Sequence, residues 1–336
     1  MLSLIEAAGW TDSIQNGSQM VSVHSLHNPS FYLNLIGCML YNYGAREAQQ
    51  CFDKRKLVFI GDSTTRKLFY QTARVLDNEL PAAPPNDKQK HANVDLSTSY
   101  GTNISFVWDP YLNSSQVHNL IDDHSGRASR PALLVIGSGL WYMRYSNSSG
   151  GLPTWEANMG RILRGIAGSK ARIADSVVVL PVEQVVATKL SHERASSIRS
   201  SDIDAMNSYL AHRINPPSSG LGQTAKVKKP AFPAALPLVF NQMLEASMTE
   251  DGLHYADPVV QTQATLLINM RCNGFLPKAS PFNKTCCNRY PRPSLIHAIV
   301  LLAVILWGPY TYLKSVNNGN FHFTCYSINY LPASKR

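Results

Sequence analysis

Apolar and polar positions alternate along the central part of the chain in a pattern that predicts strands separated by helices. Short apolar runs bounded by turn residues predict strands, and apolar residues at three- and four-residue spacing predict helices. The predicted strands are Leu57–Ile60, Ile104–Trp108, Ala132–Ile136, Val177–Leu180 and Leu238–Phe240. The predicted helices include Thr64–Leu76, Trp155–Ala167 and Ser201–Arg213. This βαβ order predicts an α/β fold with a central, mostly parallel sheet between helical layers.

Two stretches interrupt the pattern and predict loops. Residues 81–87 are rich in Pro, and residues 215–237 are rich in Pro, Ser, Gly and Lys. Such compositions are typical of loops because they supply few apolar side chains for a core. We expect residues 215–237 to form a flexible insertion.

A longer apolar run lies near the C-terminus, at residues 294–313. It has about the ~20 residues that a membrane-spanning helix needs, and Trp307, Tyr310 and Lys314 suit a membrane interface. A buried core helix is the alternative, since His297 and Pro309 interrupt the run. We expect a transmembrane helix at 294–313, followed by a short tail at 314–336.

Composition limits the function classes. The chain has 336 residues, 44% of them hydrophobic, and a net charge of +9, so it can bury a sizeable core and meet an acidic partner. Its basic residues are scattered, and no basic stripe is interleaved with aromatic residues. We therefore predict no nucleic-acid partner. No Cys/His grouping has the spacing of zinc ligands, so we predict no metal.

A candidate nucleophile follows the first predicted strand. Gly61, Asp62 and Ser63 come directly after Leu57–Ile60, and a predicted helix follows them. A serine there lies at the carboxyl end of a strand and at a helix N-terminus, where ligands bind in open α/β sheets. Gly, Asp and Ser are also ordinary turn residues, so a plain turn is the alternative.

A carboxylate and an imidazole stand three residues apart downstream, at Asp251 and His254. Their alternative interpretation is a helix N-cap followed by a surface histidine. Together with Ser63 they supply the hydroxyl, the base and the base-orienting group of a serine nucleophile system.

These motifs resemble the SGNH-type esterases and acyltransferases, and more narrowly the luminal domain of the fungal capsule polysaccharide and sialate O-acetyltransferases. The matching stretches are residues 37–43, 57–69, 136–141, 239–244 and 250–255, in the order found in that family. The resemblance covers residues 37–287, with a poorly defined segment 1–36 before it. It implies an SGNH-hydrolase-like three-layer sandwich.

The resemblance also implies an activity. Ser63 would carry an acetyl group, His254 would be the general base, and Asp251 would orient the imidazole. No cofactor would be bound, and acetyl-CoA would be the ultimate donor. The acceptor would be a carbohydrate, possibly acidic, and the domain would be luminal, in a secretory membrane such as the Golgi. The alternatives are a carbohydrate acetylesterase with the same three residues and a non-enzymatic glycan-binding domain.

Further residues are candidates for the oxyanion and substrate site. The oxyanion would be held by the backbone N–H of Ser63 and by donors near Gly137 and Gly139, although these glycines also fit a plain strand-ending turn. Trp141 lies in the same matching stretch. Arg66, one helical turn after Ser63, could hold an acidic sugar or have a structural role.

Sequons and cysteines predict an oxidising, luminal environment. The five sequons begin at Asn16, Asn103, Asn113, Asn147 and Asn283. Among the six cysteines, Cys38 and Cys51 could form a disulfide, as could one pair among Cys272, Cys286 and Cys287, although the sequence does not determine the connectivity. The chain has no evident signal peptide in residues 1–17 and no multi-spanning part after residue 313, so we also expect a truncated gene model.

Overall fold

The computed structural model describes residues 40–122, 130–169, 172–215, 232–276 and 279. All of them belong to one compact unit, Met1–Arg289. Within these ranges no helix combines the length and the apolar character of a membrane span. The segment 1–36, most of the insertion 215–237, the apolar run 294–313 and the tail 314–336 lie outside the described residues.

A five-stranded sheet forms the centre of the described structure. The strands are β1 (Leu57–Gly61), β2 (Val94–Ser97), β3 (Asn103–Trp108), β4 (Leu133–Gly137) and β5 (Ser176–Val179), in the order β2-β3-β1-β4-β5. Only the edge pair β2–β3 is antiparallel in this sheet. The predicted α/β fold with a mostly parallel sheet is confirmed.

Helices cover both faces of the sheet. Their bounds are α1 (Ala45–Phe52), α2 (Ser63–Leu76), α3 (Ser115–Asp122), α4 (Leu140–Arg144), α5 (Ser146–Ser149), α6 (Gly151–Gly168), α7 (His192–Ser197), α8 (Ser200–Ile214), α9 (Val239–Gln242) and α10 (Asp257–Cys272). One core joins the sheet to α1, α2 and α10, and the other joins it to α3, α6 and α8. The arrangement is consistent with a three-layer sandwich.

The strands β1 and β4 are apolar throughout because helices cover both faces of the sheet. Every residue of β1 and β4 is buried. A strand covered on both faces reads as a continuous apolar run rather than as an alternating one. The sequence of the central strands is therefore sufficient to identify them.

One predicted strand is absent from the sheet, and one strand of the sheet was not predicted. Residues Leu238–Phe240 do not form a strand; α9 begins at Val239, and only Ala235 makes an isolated bridge, to Val178. Short apolar runs fit a buried helix as well as a strand. The edge strand β2 was not predicted, because half of its residues are exposed and it is only four residues long.

The possible Cys38–Cys51 disulfide is not formed. Cys51 of α1 is bonded to Cys272 at the end of α10, with a Cα–Cα distance of 5.5 Å. This bond excludes the Cys38–Cys51 pair and any pairing of Cys272 with Cys286 or Cys287. The partners are 221 residues apart and meet because α1 and α10 pack together.

Candidate active site

Gly61 sets the turn that carries Ser63. Its φ is 154°, and a Cβ at this position would lie 1.8 Å from the carbonyl oxygen of Gly137. Only glycine allows β1 to approach the end of β4 this closely with that backbone conformation.

Asp62 caps the N-terminus of the helix that follows. Its carboxylate is 1% exposed and accepts hydrogen bonds from the backbone N–H and the hydroxyl of Thr64. The hydroxyl of Thr65 donates to the carbonyl of Gly137 at 2.8 Å, which fixes the start of α2 against β4. Ser63 is therefore the first residue of α2, where the backbone N–H has no intrahelical acceptor.

The loop that carries Asp251 and His254 precedes α10. One oxygen of Asp251 accepts the backbone N–H groups of Leu253 and His254, at 3.0 and 2.7 Å. Gly252 has a φ of 75°, and its carbonyl accepts the N–H of Val186. The alternative of an N-cap with a surface histidine does not hold, since α10 begins only at Asp257.

Ser63, His254 and Asp251 form one hydrogen-bonded chain. His254 Nε2 lies 2.9 Å from Ser63 Oγ, and His254 Nδ1 lies 2.8 Å from Asp251 Oδ2. Because an ionised carboxylate only accepts, Nδ1 carries the proton and Nε2 is free to accept the proton of Ser63. The arrangement can deprotonate a serine hydroxyl.

Asp251 is ionised in this arrangement. Burial by itself would raise the pKa of its carboxyl, but hydrogen bonds from the imidazole and backbone of His254, and from the backbone of Leu253, hold this pKa well below its ordinary value. A permanent carboxylate beside Nδ1 stabilises the imidazolium that forms when Ser63 loses its proton.

A residue that the sequence analysis missed also binds Asp251. Arg194 of α7 donates to Asp251 Oδ2 at 3.0 Å, the same oxygen that His254 contacts. The two residues are 57 positions apart, so no local pattern could pair them. Arg194 therefore binds the oxygen of the carboxylate that does not accept the backbone bonds.

We expect Arg194→Met to lower kcat roughly 10-fold. A hydrogen bond to a charged group contributes ~1.5–3 kcal/mol, and exposure of both side chains favours the lower end. Steady-state kinetics on any acetyl ester that the protein turns over would measure this. Arg74→Met, on an exposed position of α2, is the matched control, and equal losses in both variants would contradict the assignment.

The predicted oxyanion residues Gly137 and Gly139 lie at the end of β4, beside the start of α2. The hydroxyl of Ser138 between them donates to the carbonyl of Pro110, and its carbonyl accepts from the Trp155 indole at 2.9 Å. The Ser138 side chain is thus turned away from Ser63. Any hydrogen-bond donor that residues 137–139 offer to an oxyanion must therefore be a backbone N–H group.

A second missed residue, Glu183, lines a small cavity behind the nucleophile turn. The cavity also contacts Asp62, Gly137 and Gly139 and has room for about one water molecule. Burial, followed by the negative charge of Asp62, raises the pKa of Glu183 to about 7. Burial also raises the pKa of Asp62, although hydrogen bonds from Thr64 oppose this.

The raised pKa of Glu183 beside Asp62 makes the stability of the protein depend on pH. The folded state holds a proton on Glu183 up to about pH 7, whereas the unfolded chain releases it near the ordinary value of 4.5. The free energy of unfolding therefore falls as the pH rises from about 4.5 to about 7. We expect Glu183→Gln, which cannot ionise, to gain melting temperature relative to the unsubstituted protein between pH 5 and pH 8.

Thermal unfolding at the two pH values measures this gain. Glu79→Gln, the same substitution on an exposed side chain, controls for the loss of a surface charge. A difference between Glu183→Gln and the unsubstituted protein that is equal at both pH values would show that Glu183 is ionised in the folded state throughout.

An aromatic cluster lies at the same edge of the sheet. Trp108 is the last residue of β3 and pairs with Gly61 of β1, and Trp141 lies in the first turn of α4. Their ring centroids are 5.3 Å apart. Trp141 also contacts the rings of His91, Tyr111 and Tyr145, and the guanidinium of Arg66 lies 5.4 Å from the Trp108 ring centroid.

The remaining predicted residues fall into two groups. Asn103, Asn113 and Asn147 are exposed, so a glycan could be attached at each, whereas Asn16 and Asn283 lie outside the described residues. In the part of the chain that the structure describes, no group of three His, Cys, Asp or Glu side chains could hold a metal ion.

Comparison with known proteins finds a similarity to a named enzyme. No protein-family model matches the chain. The chain is 26% identical over 275 residues to the N-acetylneuraminate (7)9-O-acetyltransferase of Danio rerio. The match covers 80% of this chain and 32% of that enzyme, so the chain spans about a third of the length of its relative.

Proposed function

We propose that this protein is an O-acetyltransferase that moves an acetyl group through a serine acyl-enzyme to a carbohydrate hydroxyl. The observation that carries the proposal is the 2.9 Å contact between Ser63 Oγ and His254 Nε2, with Asp251 behind the imidazole. The similarity to an enzyme named for O-acetylation of N-acetylneuraminate supports the choice of chemistry and acceptor.

The geometry suits a two-step transfer. In the first step His254 takes the proton of Ser63 while Oγ attacks the acetyl carbonyl of the donor, and the imidazolium then protonates the leaving group. In the second step His254 takes a proton from a sugar hydroxyl, whose oxygen attacks the acetyl-serine. Ser63 leaves with that proton, so the free enzyme is restored.

The oxyanion of each step would be held by backbone N–H groups. The N–H of Ser63 is the first donor, since it is free at the helix N-terminus and favoured by the helix dipole. Residues Gly137–Gly139, at the end of β4, would supply another. Each donor of this kind is worth ~10²–10³-fold in kcat.

Donor and compartment are part of the proposal. Acetyl-CoA is the ultimate acetyl donor, and no cofactor is held permanently. The Cys51–Cys272 disulfide and the exposed Asn103, Asn113 and Asn147 sequons support a luminal position in the secretory pathway, such as the Golgi. The apolar run 294–313 would attach the domain to the membrane.

An acetylesterase is the second candidate. The His254 side chain is 31% exposed, so water can reach the acetyl-serine in place of a sugar hydroxyl. The same three residues would then release acetate.

A mass-spectrometric assay separates the candidates. The full chain, expressed through a secretory pathway, would be given p-nitrophenyl acetate and the methyl glycoside of N-acetylneuraminic acid. We expect an acetylated glycoside that is absent with Ser63→Ala. Ser63-dependent release of acetate without acetylated sugar would show that the protein is an esterase and not a transferase. If neither product depends on Ser63, the protein would be a non-enzymatic glycan-binding domain.

A further inference from the structure

Arg66 lies on the same helix as the candidate nucleophile, and its side chain has no hydrogen-bonding partner among the described residues. It lies one turn after Ser63 on α2, and its backbone N–H donates to Asp62 in the first turn of that helix. Among the described residues its side chain makes no hydrogen bond and no ion pair, and its Nη1 atom is buried. Burial lowers the pKa of the Arg66 guanidinium from its ordinary value, although the nearby Tyr70 and Asp62 oppose this.

The other half-buried arginines of the described structure have carboxylate partners. Three of them converge on Asp175, one binds Glu193 and one binds Asp251: they are Arg55, Arg130, Arg271, Arg144 and Arg194. Desolvating a guanidinium without such a partner is unfavourable. A carboxylate supplied by a ligand would satisfy Arg66 in the way that Asp and Glu satisfy the others.

The surface beside Arg66 is aromatic and partly exposed. The guanidinium lies over Trp108, which stacks on His91 and meets Trp141 edge to face. Burial and then the positive charges of Arg66 and Lys90 lower the pKa of His91, so near neutral pH the imidazole is uncharged and adds aromatic surface. Flat, partly wet aromatic rings suit the C–H face of a pyranose.

We propose that Arg66 and Trp141, beside Trp108, form the acceptor subsite, in which Arg66 binds the carboxylate of an acidic sugar and the Trp141 indole packs against its ring. The proposal rests on the proposed function for its place in the reaction, and it adds the recognition element. A planar guanidinium can bind a carboxylate through two parallel hydrogen bonds. Its position on the first turns of α2 holds the sugar at the edge of the sheet where Ser63 lies.

A purely structural role is the competing explanation, in which Arg66 is held only by its cation–π contact with Trp108. That contact contributes ~0.5–2 kcal/mol to stability. A structural Arg66 would affect melting temperature and would not distinguish a charged ligand from a neutral one. The experiment therefore compares two ligands that differ only in charge.

The probes are the methyl glycoside of N-acetylneuraminic acid and its C1 carboxamide. Binding of each to the full chain carrying Ser63→Ala would be titrated by NMR, so that no acetyl chemistry is needed. We expect the acid to bind more tightly than the amide. Adding Arg66→Gln should lower the affinity for the acid roughly 10–100-fold, the range expected for the loss of a hydrogen-bonded charge pair. The affinity for the amide should change by no more than about 2-fold.

Three further variants sharpen the result. Arg66→Lys keeps the charge but not the planar guanidinium. Its affinity for the acid should lie between that of the protein with Arg66 and that of the Arg66→Gln variant. Trp141→Leu should weaken both probes by similar factors, because stacking does not depend on the carboxylate. Arg74→Gln removes an exposed charge from the same helix and should change neither affinity.

The binding titration tests the subsite separately from the acetyl-transfer assay, which tests the proposed function. Equal weakening of acid and amide by Arg66→Gln, equal binding of the two probes before substitution, or binding of neither would each overturn the subsite. Failure of the acetyl-transfer assay would instead overturn the transferase and leave these affinities unchanged.

Discussion

Ser63→Ala and His254→Ala are each expected to lower kcat for acetyl transfer by at least ~10⁴-fold, since loss of nucleophile or base costs up to ~10⁶-fold in serine hydrolases. Ser63 forms the bond to the acetyl group, and His254 is the base within 2.9 Å of its hydroxyl. Asp251→Asn should cost about 10⁴-fold, because an amide favours the wrong imidazole tautomer. Single-turnover release of the donor's leaving group would measure all three.

These losses should occur without unfolding. Ser63 and His254 are partly exposed, so truncating them opens no cavity in the core. Ser208→Ala and His212→Ala, both on exposed positions of α8, are the matched controls and should retain the full rate. A Ser63 or His254 variant that keeps more than about a tenth of the rate would rule out its assigned role, since a general base alone typically contributes ~10²–10⁴-fold.

Gly61→Ala should be the most destabilising small substitution in the site. The new methyl would need to occupy the space of the Gly137 carbonyl oxygen, 1.8 Å away, with φ at 154°. Overpacking typically costs ~1–3 kcal/mol and a glycine-only backbone conformation a further ~1–3 kcal/mol, so we expect a loss of roughly 2–6 kcal/mol. The start of α2 would shift with it, so activity should fall as well.

Urea denaturation would measure the loss. Gly168→Ala is the matched control, because a Cβ on Gly168, the last residue of α6, meets nothing within 4 Å. Alanine favours helix, so this control should be neutral or slightly stabilising. If the two variants unfold at the same urea concentration, β1 and β4 do not approach each other as closely as described.

Local patterns account for much of the fold. The strands β1, β3, β4 and β5 and the helices α2, α6 and α8 were predicted within a few residues, because buried strands and amphipathic helices show their periodicity in short windows. The edge strand β2 and the helix α9 were missed for the opposite reason. Their sequences are short, and their packing partners decide their conformation.

The same contrast holds for the candidate site. The turn that carries Ser63 and the loop that carries Asp251 and His254 could be recognised from neighbouring residues, since turn and cap chemistry is local. Arg194 and Glu183 could not, because an isolated arginine or glutamate has no distinguishing pattern. Only their surroundings, a carboxylate for Arg194 and the buried Asp62 for Glu183, give them their properties.

The sequence by itself determined the α/β class, the place of the serine turn and the types of residue in the candidate site. Tertiary structure alone decided that Ser63 and His254 meet across 191 residues and that Cys51 bonds to Cys272. It also decided that Arg66 lies over an aromatic ring and forms no ion pair with the residues that the structure describes. The physical reason is range. Backbone propensity and hydrophobic periodicity act over one or two turns, whereas contacts between distant residues depend on how helices and strands pack around the whole core.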